Sequence, residues 1–226
     1  TVIRHKHITL DTHLDYLEKS GLLTINPSKM ELEHGYFNID GSIALLDSMD
    51  MNINVHGNKP NFDLFIAFAP EELIPTLEMY DNAGEIFFEA KINGKGASGI
   101  PAINVEFGCD KAFLKNSTTN KEVSELHFDG HFSNTLNEKH DLSAMEFSLR
   151  NIHAVPEAGY FDGNIHVQNF ESPDIEMDLR SDFFLDFLSK FLNLRDLSDL
   201  SGKVILSLKF HDIIDLSNPQ LSIQKL

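Results

Sequence analysis

Tryptophan is absent from the 226 residues, tyrosine occurs 4 times and cysteine once, at Cys109. A lone thiol cannot form an internal disulfide, so packing alone must hold the fold, and Cys109 reads as a small, inert residue. Without tryptophan and with so little tyrosine, a platform for stacking sugars lacks its usual side chains. Basic residues are scarce too: Lys+Arg 18 against Asp+Glu 35 gives a net charge of −17. Such a field repels phosphate backbones and anionic lipid surfaces at long range, which excludes nucleic acid as a partner. No apolar run approaches the roughly 18 to 20 residues that span a bilayer, and nothing resembles a secretory leader. The chain opens on Thr1 without a methionine, and a longer parent protein carrying membrane or export signals is the expectation.

What the chain has in quantity is period-two alternation, the mark of strands with one dry side and one wet side. Residues 1 to 57 read as antiparallel strands, with Ile8, Leu10, Thr12, Leu14 and Tyr16 in alternation and breaks at Gly21 and Asn26-Pro27; a helix over Leu14 to Ser20 is the competing reading. Asn61 to Lys91 reads as strand, short helix, strand: Phe62, Leu64, Ile66 and Phe68 alternate, Pro70 opens the helix, and Gly84 precedes alternating Ile86, Phe88, Ala90 and Ile92. A second copy follows, with Ile175, Met177 and Leu179, a helix capped by Ser181, and Gly202 before Val204, Leu206, Leu208 and Phe210. Gly84 and Gly202, Lys91 and Lys209, and Pro101 and Pro219 share one offset of 118 residues (202 − 84). Asn52-Ile53-Asn54-Val55 matches Asn164-Ile165-His166-Val167 at an offset of 112 (164 − 52). The expected architecture is mainly β (α+β): a curved antiparallel meander, sheet or groove, with two short helices and an internal duplication. It forms a single domain, 1–226, with halves at 28–115 and 142–226 and an N-terminal strand segment at 1–27. Lys115 to Lys121 reads as a polar loop, Asn134 to Asp141 as a mobile loop or the seam between halves, and Leu221-Ser222-Ile223 as a final strand.

Candidate chemistry is sparse. Gly94, Gly96 and Gly99 have the spacing of a dinucleotide-binding turn, but Ile100-Pro101 and a strand follow where a helix N-terminus is required, so a hairpin connection is the better reading. His127, Asp129 and His131 fall on one face of a strand and offer two imidazoles and a carboxylate to a metal; the same spacing suits a solvated face opposite Leu126, Phe128 and Phe132. His5 and His7 carry less weight. Asn116-Ser117-Thr118 fits the glycosylation acceptor pattern. No nucleophile turn is present, and the reading is of a non-enzymatic protein without a cofactor.

Taken together, Phe37-Asn38-Ile39-Asp40-Gly41, Asn52-Ile53-Asn54-Val55 before the helix near Pro70, Gly84 opening Glu85-Ile86-Phe87-Phe88, Ile100-Pro101-Ala102-Ile103, Gly163-Asn164-Ile165 and Ser172-Pro173-Asp174-Ile175 resemble the C-terminal region of the AsmA-like family of bacterial envelope proteins. The resemblance spans most of residues 8 to 223. It implies a long antiparallel sheet curved into a groove, in a parent anchored in the inner membrane of a Gram-negative cell and projecting into the periplasm. It also implies a part in outer-membrane assembly and in phospholipid transport between the two membranes. The family brings no catalytic residues.

Independently of that resemblance, a meander twists and curls, and its inward residues form one apolar face. The candidates are Ile53, Val55, Leu64, Ile66, Ile86, Phe88, Ile103, Val105, Phe107, Phe147, Leu149, Ile165, Val167, Met177, Leu179, Val204, Leu206 and Leu208. They either line a groove for phospholipid acyl chains or form a core under helices at 71–80 and 182–192. Partners under these readings are phospholipid acyl chains or other envelope proteins, the latter through strand addition at a sheet edge. A β-rich scaffold, or a surface module for glycans or proteins with no lipid-carrying role, is the alternative function.

Overall fold

A computed structural model describes residues 7–33, 35–46, 49–59, 61–67, 74–97, 99–193 and 201–213. Their alternation folds into one open, 12-stranded antiparallel sheet. The N-terminal strands are β1 (Ile8–Asp11), β2 (Leu14–Leu17), β3 (Leu22–Leu32), β4 (Gly35–Ala44) and β5 (Asp50–Lys59). Two short helices, α1 (Asp63–Ile66) and α2 (Ile74–Leu77), then lead into β6 (Tyr80–Lys95), β7 (Ala102–Asn116) and β8 (Glu122–Ser133). After a 3-10 turn at Leu142–Ala144 come β9 (Glu146–Pro156), β10 (Tyr160–Gln168), β11 (Asp174–Phe184), α3 (Leu185–Phe191) and β12 (Lys203–Ile213). From β3 onward each strand pairs with its successor, while β1 and β2 both pair with β3. Adjacent pairing through short connections is the meander that the alternation predicts.

Several expectations need correcting. Asn61 to Ala67 is not a strand. Asn61 accepts a bond from the Asp63 N–H, and residues from Phe62 onward turn into α1, with Leu64 fully buried against the sheet. A helix presents residues three and four apart on one side, so Phe62, Phe65 and Ile66 share a face that alternation does not bring out. Ser181 does not cap a helix: it lies within β11, and Phe184 stands at the N-cap of α3 without a side-chain bond. Leu14 to Ser20 is not helical, since β2 occupies its first half. Asn26-Pro27 does not end a strand; it forms a bulge inside β3, a place where the missing proline N–H does no harm. The connection from Asn134 to Asp141 is pinned at its start, where wholly buried Asn134 accepts from the Ile103 N–H and donates to the Pro101 and His140 carbonyls, while Thr135 to Lys139 are exposed. The helices recur in the connections, α1 and α2 between β5 and β6 and α3 between β11 and β12. Phe68, Pro70, Pro219, His5 and Leu221-Ser222-Ile223 lie outside the described residues.

The main core sits between α1 and strands β3 to β8. Leu32, Phe37, Val55, Leu64, Ala67, Ile86, Ala90, Cys109 and Ala112 are buried there. Phe65 reaches across to Phe107 and Phe128, with ring centroids 5.8 and 6.0 Å away. Gly35 and Gly57 let α1 come close: a Cβ on Gly35 would sit 3.0 Å from the Ala67 methyl, and one on Gly57 3.0 Å from Leu64.

The other helix ties together strands far apart in the sheet. α3 leaves β11, yet the Phe191 carbonyl accepts bonds from Tyr80 Oη and Asn116 Nδ2, both at 2.9 Å, and the Lys190 carbonyl accepts from Thr119 Oγ1 at 3.0 Å. Strands β6 and β11 would stand about 24 Å apart in a flat sheet, at ~4.8 Å per strand. A seven-residue helix is only about 10 Å long. The contact is made because the sheet coils toward its apolar side, as twisted sheets do. Bulges on consecutive strands assist the bend: Lys111 on β7, Glu125 on β8 and Asn151 on β9 have φ of 47°, 50° and 53°, beside breaks in register.

Gly159, before β10, has φ +114°, and a Cβ there would overlap the Asp182 carbonyl oxygen. Gly159→Ala is therefore expected to destabilise the protein by about 1–3 kcal/mol, measured by urea unfolding. Gly99→Ala, where an added Cβ meets nothing within 4 Å, is the neutral control.

Candidate functional site

Cross-strand register places the candidate residues more sharply than the sequence can. One row of partners runs Ile39, Val55, Ala90, Val105, Phe132, Phe147, Val167, Ile175, from β4 to β11. A parallel row runs Phe88, Phe107, Gly130, Leu149, Ile165, Met177, Phe210, from β6 to β12. Directly paired residues share a side of the sheet, so the two rows belong to one continuous apolar face. Ile53 and Ile103 flank it in the first half, and Leu179, Leu208, Leu206 and Val204 continue it at the far edge. Ile66 and Leu64 are the exceptions, since they sit on α1 and cover the face rather than forming it.

Cover is uneven along this face. Val55, Leu64 and Ile86 are buried and Leu206 is exposed, while the rest of the candidates are half-buried. Beyond β8 the fully buried apolar side chains among the described residues are small or lie near α3: Ala144, Ala154, Pro156 and Phe187. Helix α1 roofs one end of the face and α3 the other. Between them Phe147, Leu149, Ile165, Val167 and Met177 form a greasy strip with neither helix packed into it. The face is therefore buried core beneath α1 and half-buried apolar surface on β9 to β11.

Under α3 the face deepens into a cavity of about 340 Å³, walled by Ala154, Phe161, Phe183, Phe187, Phe191 and Leu206 among others. Phe187 stacks on Phe191 at 5.4 Å, and Phe191 meets Tyr80 at 5.1 Å. Sequence reasoning missed Ser181 as a member of this wall and Tyr80 and Asn116 as the anchors of α3. Asn116 is wholly buried, with its side chain spent on the Phe191 carbonyl and on the N–H groups of Thr118 and Thr119, which makes it a structural residue and no accessible glycan acceptor.

The reverse face is polar and rich in charge. A row of partners there reads His56, Glu89, Glu106, His131, Ser148, His166, Glu176, His211. The alternation Leu126, His127, Phe128, Asp129 does put imidazole and carboxylate on this side, but the side chains separate into different pairs. His127 Nδ1 faces Asp110 at 3.3 Å, with Asp129 3.7 Å from its other nitrogen. His131 lies between Glu106 at 2.8 Å and Glu146 at 3.2 Å. Among the described residues, no group of three or more His, Cys, Asp or Glu side chains is arranged to hold a metal ion. These histidines hydrogen-bond to carboxylates on neighbouring strands and so lace the strands together. Burial pushes the Cys109 thiol up to about 12, which makes it a poor nucleophile and metal ligand.

Glu146 makes this face sensitive to acid. Partial burial pushes its carboxyl up, but hydrogen bonds from Ser133 and His131 and the charges of His131 and His166 outweigh that and hold it below its ordinary value of 4.5. A depressed carboxylate contributes stability above its unfolded value and loses that contribution as pH falls through the folded value. Urea midpoints are expected to drop as the pH is taken below about 4. The drop should be shallower in Glu146→Gln, which has no proton to take up.

No helix among the described residues is long and apolar enough to cross a membrane. Comparisons with family models, with curated proteins and with solved structures return no match, so what the chain does has to be argued from this sheet alone.

Proposed function

We propose that the apolar face shelters the acyl chains of a phospholipid on its way between two membranes, and that the chain is a non-enzymatic β-groove module of an AsmA-like envelope protein with a part in outer-membrane assembly. The observation that carries the reading is the half-buried apolar strip from Phe147 to Met177, lying, among the described residues, between α1 toward one end of the face and α3 toward the other. Leaving a bilayer for water costs an acyl chain about 0.8 kcal/mol per methylene, hence roughly 25 kcal/mol for two sixteen-carbon chains. A trough with an open long side lowers that barrier while the head group stays in water. The polar reverse face keeps the sheet's back wet, and the net charge of −17 disfavours adhesion to anionic bilayers once a lipid has been collected.

A second reading rests on the edge strand. β12 pairs with β11 in unbroken register, and Ile205 and Ile213 are 73% and 60% exposed, so this edge suits strand addition by another envelope protein. Native mass spectrometry of the purified protein, with and without incubation in labelled phospholipid, separates the two. Phospholipid adducts are the expected result. Protein that carries no lipid and takes none up would remove the first reading and leave the second.

A further inference from the structure

The cavity beneath α3 exposes no polar atom on its lining. Ser181 belongs to the wall, but its hydroxyl is buried below the surface and takes no part in what the cavity holds. Water in such a space wants about two to four polar partners and finds none, and a peptide segment would leave its N–H and C=O groups unpaired. Only hydrocarbon enters without that loss. Phe161, Phe183, Phe187 and Phe191 supply much of the wall, and Leu192 and Leu206, 43% and 40% exposed, mark the side on which it opens. At about 340 Å³ the cavity lies near the lower end of the range for ligand pockets, with room for on the order of ten methylene-sized groups if each takes ~30 Å³, the share of a water in the liquid. A phospholipid acyl chain of about sixteen carbons overfills it.

The rest of such a chain has an apolar path to follow. β10, β11 and β12 pair in unbroken register, and successive rows on this face read Phe161, Ser181, Leu206, then Gly163, Leu179, Leu208, then Ile165, Met177, Phe210. The middle row presents no polar side chain, and Leu179 lies over Gly163, where an added Cβ would collide with it. Phe161 and Ile165 stand about 13 Å apart along β10, four residues at ~3.3 Å each. Cavity and strip are two ends of one dry track.

We infer that the cavity is a socket for the methyl end of one unbranched acyl chain, and that the lipid lies along β10 and β11 with its head group toward the connection at 169–173, where Glu171 and Ser172 are exposed. Hydrogen bonds from Tyr80, Asn116 and Thr119 fix α3 over the socket, so its roof is in place before a chain arrives. The head group stays in water and does not reach it. This assignment rests on the acyl-chain reading of the face and adds to it the direction in which the chain lies.

The absence of tryptophan makes the test direct. A single indole is introduced as Leu192→Trp on the cavity wall, or as Val167→Trp on the strip toward the head-group end. Each protein is titrated with bromodecane and with phosphatidylcholine brominated near either the methyl end or the carboxyl end of an acyl chain, since bromine quenches indole on contact. Bromodecane is expected to quench the 192 reporter at a concentration about fivefold or more below that needed at 167. Methyl-end bromines should quench 192 more than carboxyl-end bromines, and the order should reverse at 167. Ala154→Phe, which puts a ring into the cavity from β9, should weaken bromodecane quenching at 192 about tenfold, with circular dichroism reporting on the fold. Unchanged quenching in that variant, folded, overturns the site; if it does not fold, the dependence on bromine position decides. Bromines at the two ends acting alike at 192, or in the opposite order, overturn the socket, and the trough stands without it as long as phospholipid still quenches 167. Bromodecane quenching at 192 with no phospholipid effect on either reporter overturns the lipid's direction together with the trough.

Discussion

Phe37→Ala is expected to lower the unfolding free energy by about 3–5 kcal/mol, most of what a domain of this size has to spare. Phe37 is 2% exposed, meets Phe88 edge-on at 5.6 Å, and lies against Gly35 and Gly57 on the sheet floor. The two glycines have no side chains to slide into the space, and the strands around them are fixed by their ladders, so the cavity left by the ring cannot collapse. Urea unfolding measures the effect as a shift in midpoint at constant slope. Phe210→Ala, at a half-buried position of the open strip, should cost markedly less. If the two variants lost equal stability, the core would not be where the burial pattern places it.

Ile165→Asp is expected to reduce phospholipid uptake at least tenfold, or about 1.4 kcal/mol and more in binding free energy. Ile165 stands in the middle of the strip with Leu149 on one side and Met177 on the other. An acyl chain lying there would have to desolvate the new carboxylate, with no described cation on that face nearby to compensate. The neighbouring change Asn164→Asp adds the same charge on the same strand, but on the polar face, where the side chain is exposed. It should leave uptake within twofold. Binding of a fluorescent phospholipid, measured beside circular dichroism on both variants, checks the contrast. Equal losses would mean that net charge, and not the face, controls uptake.

Most of the sheet is legible in the chain because the signal has the shortest possible period. Residues such as Ile86, Phe88 and Ala90 alternate strictly, and strict alternation allows one face to be dry and fixes the register through it. The same rule misreads Asn61 to Ala67, where Phe62, Leu64 and Ile66 also alternate but Phe65 has to be buried too. A seven-residue window admits both periods, and tertiary cover decides between them. The clue was Asn61-Phe62-Asp63, an Asx-type start whose side-chain bond competes with a strand. The metal candidates failed for a different reason. Spacing puts His127, Asp129 and His131 on one side, but carboxylates from β7 and β9, distant in sequence, draw the imidazoles into separate pairs. Asn134, Asn116 and Ser181 carry no local signal at all, since a buried polar residue is recognised only once its partners, or their absence, are known.

The most direct test of the acyl-chain trough uses two neighbours that point opposite ways. Val167 pairs with Phe147 and Ile175 on the apolar face, and His166 pairs with Ser148 and Glu176 on the polar one. The native thiol is buried at Cys109, so Val167→Cys and His166→Cys can each be labelled selectively with an environment-sensitive dye. Each labelled protein is then incubated with phospholipid brominated along its acyl chains. Strong quenching at 167 with little at 166 is the predicted result; equal quenching at both positions, or none at 167, would contradict a trough on this face.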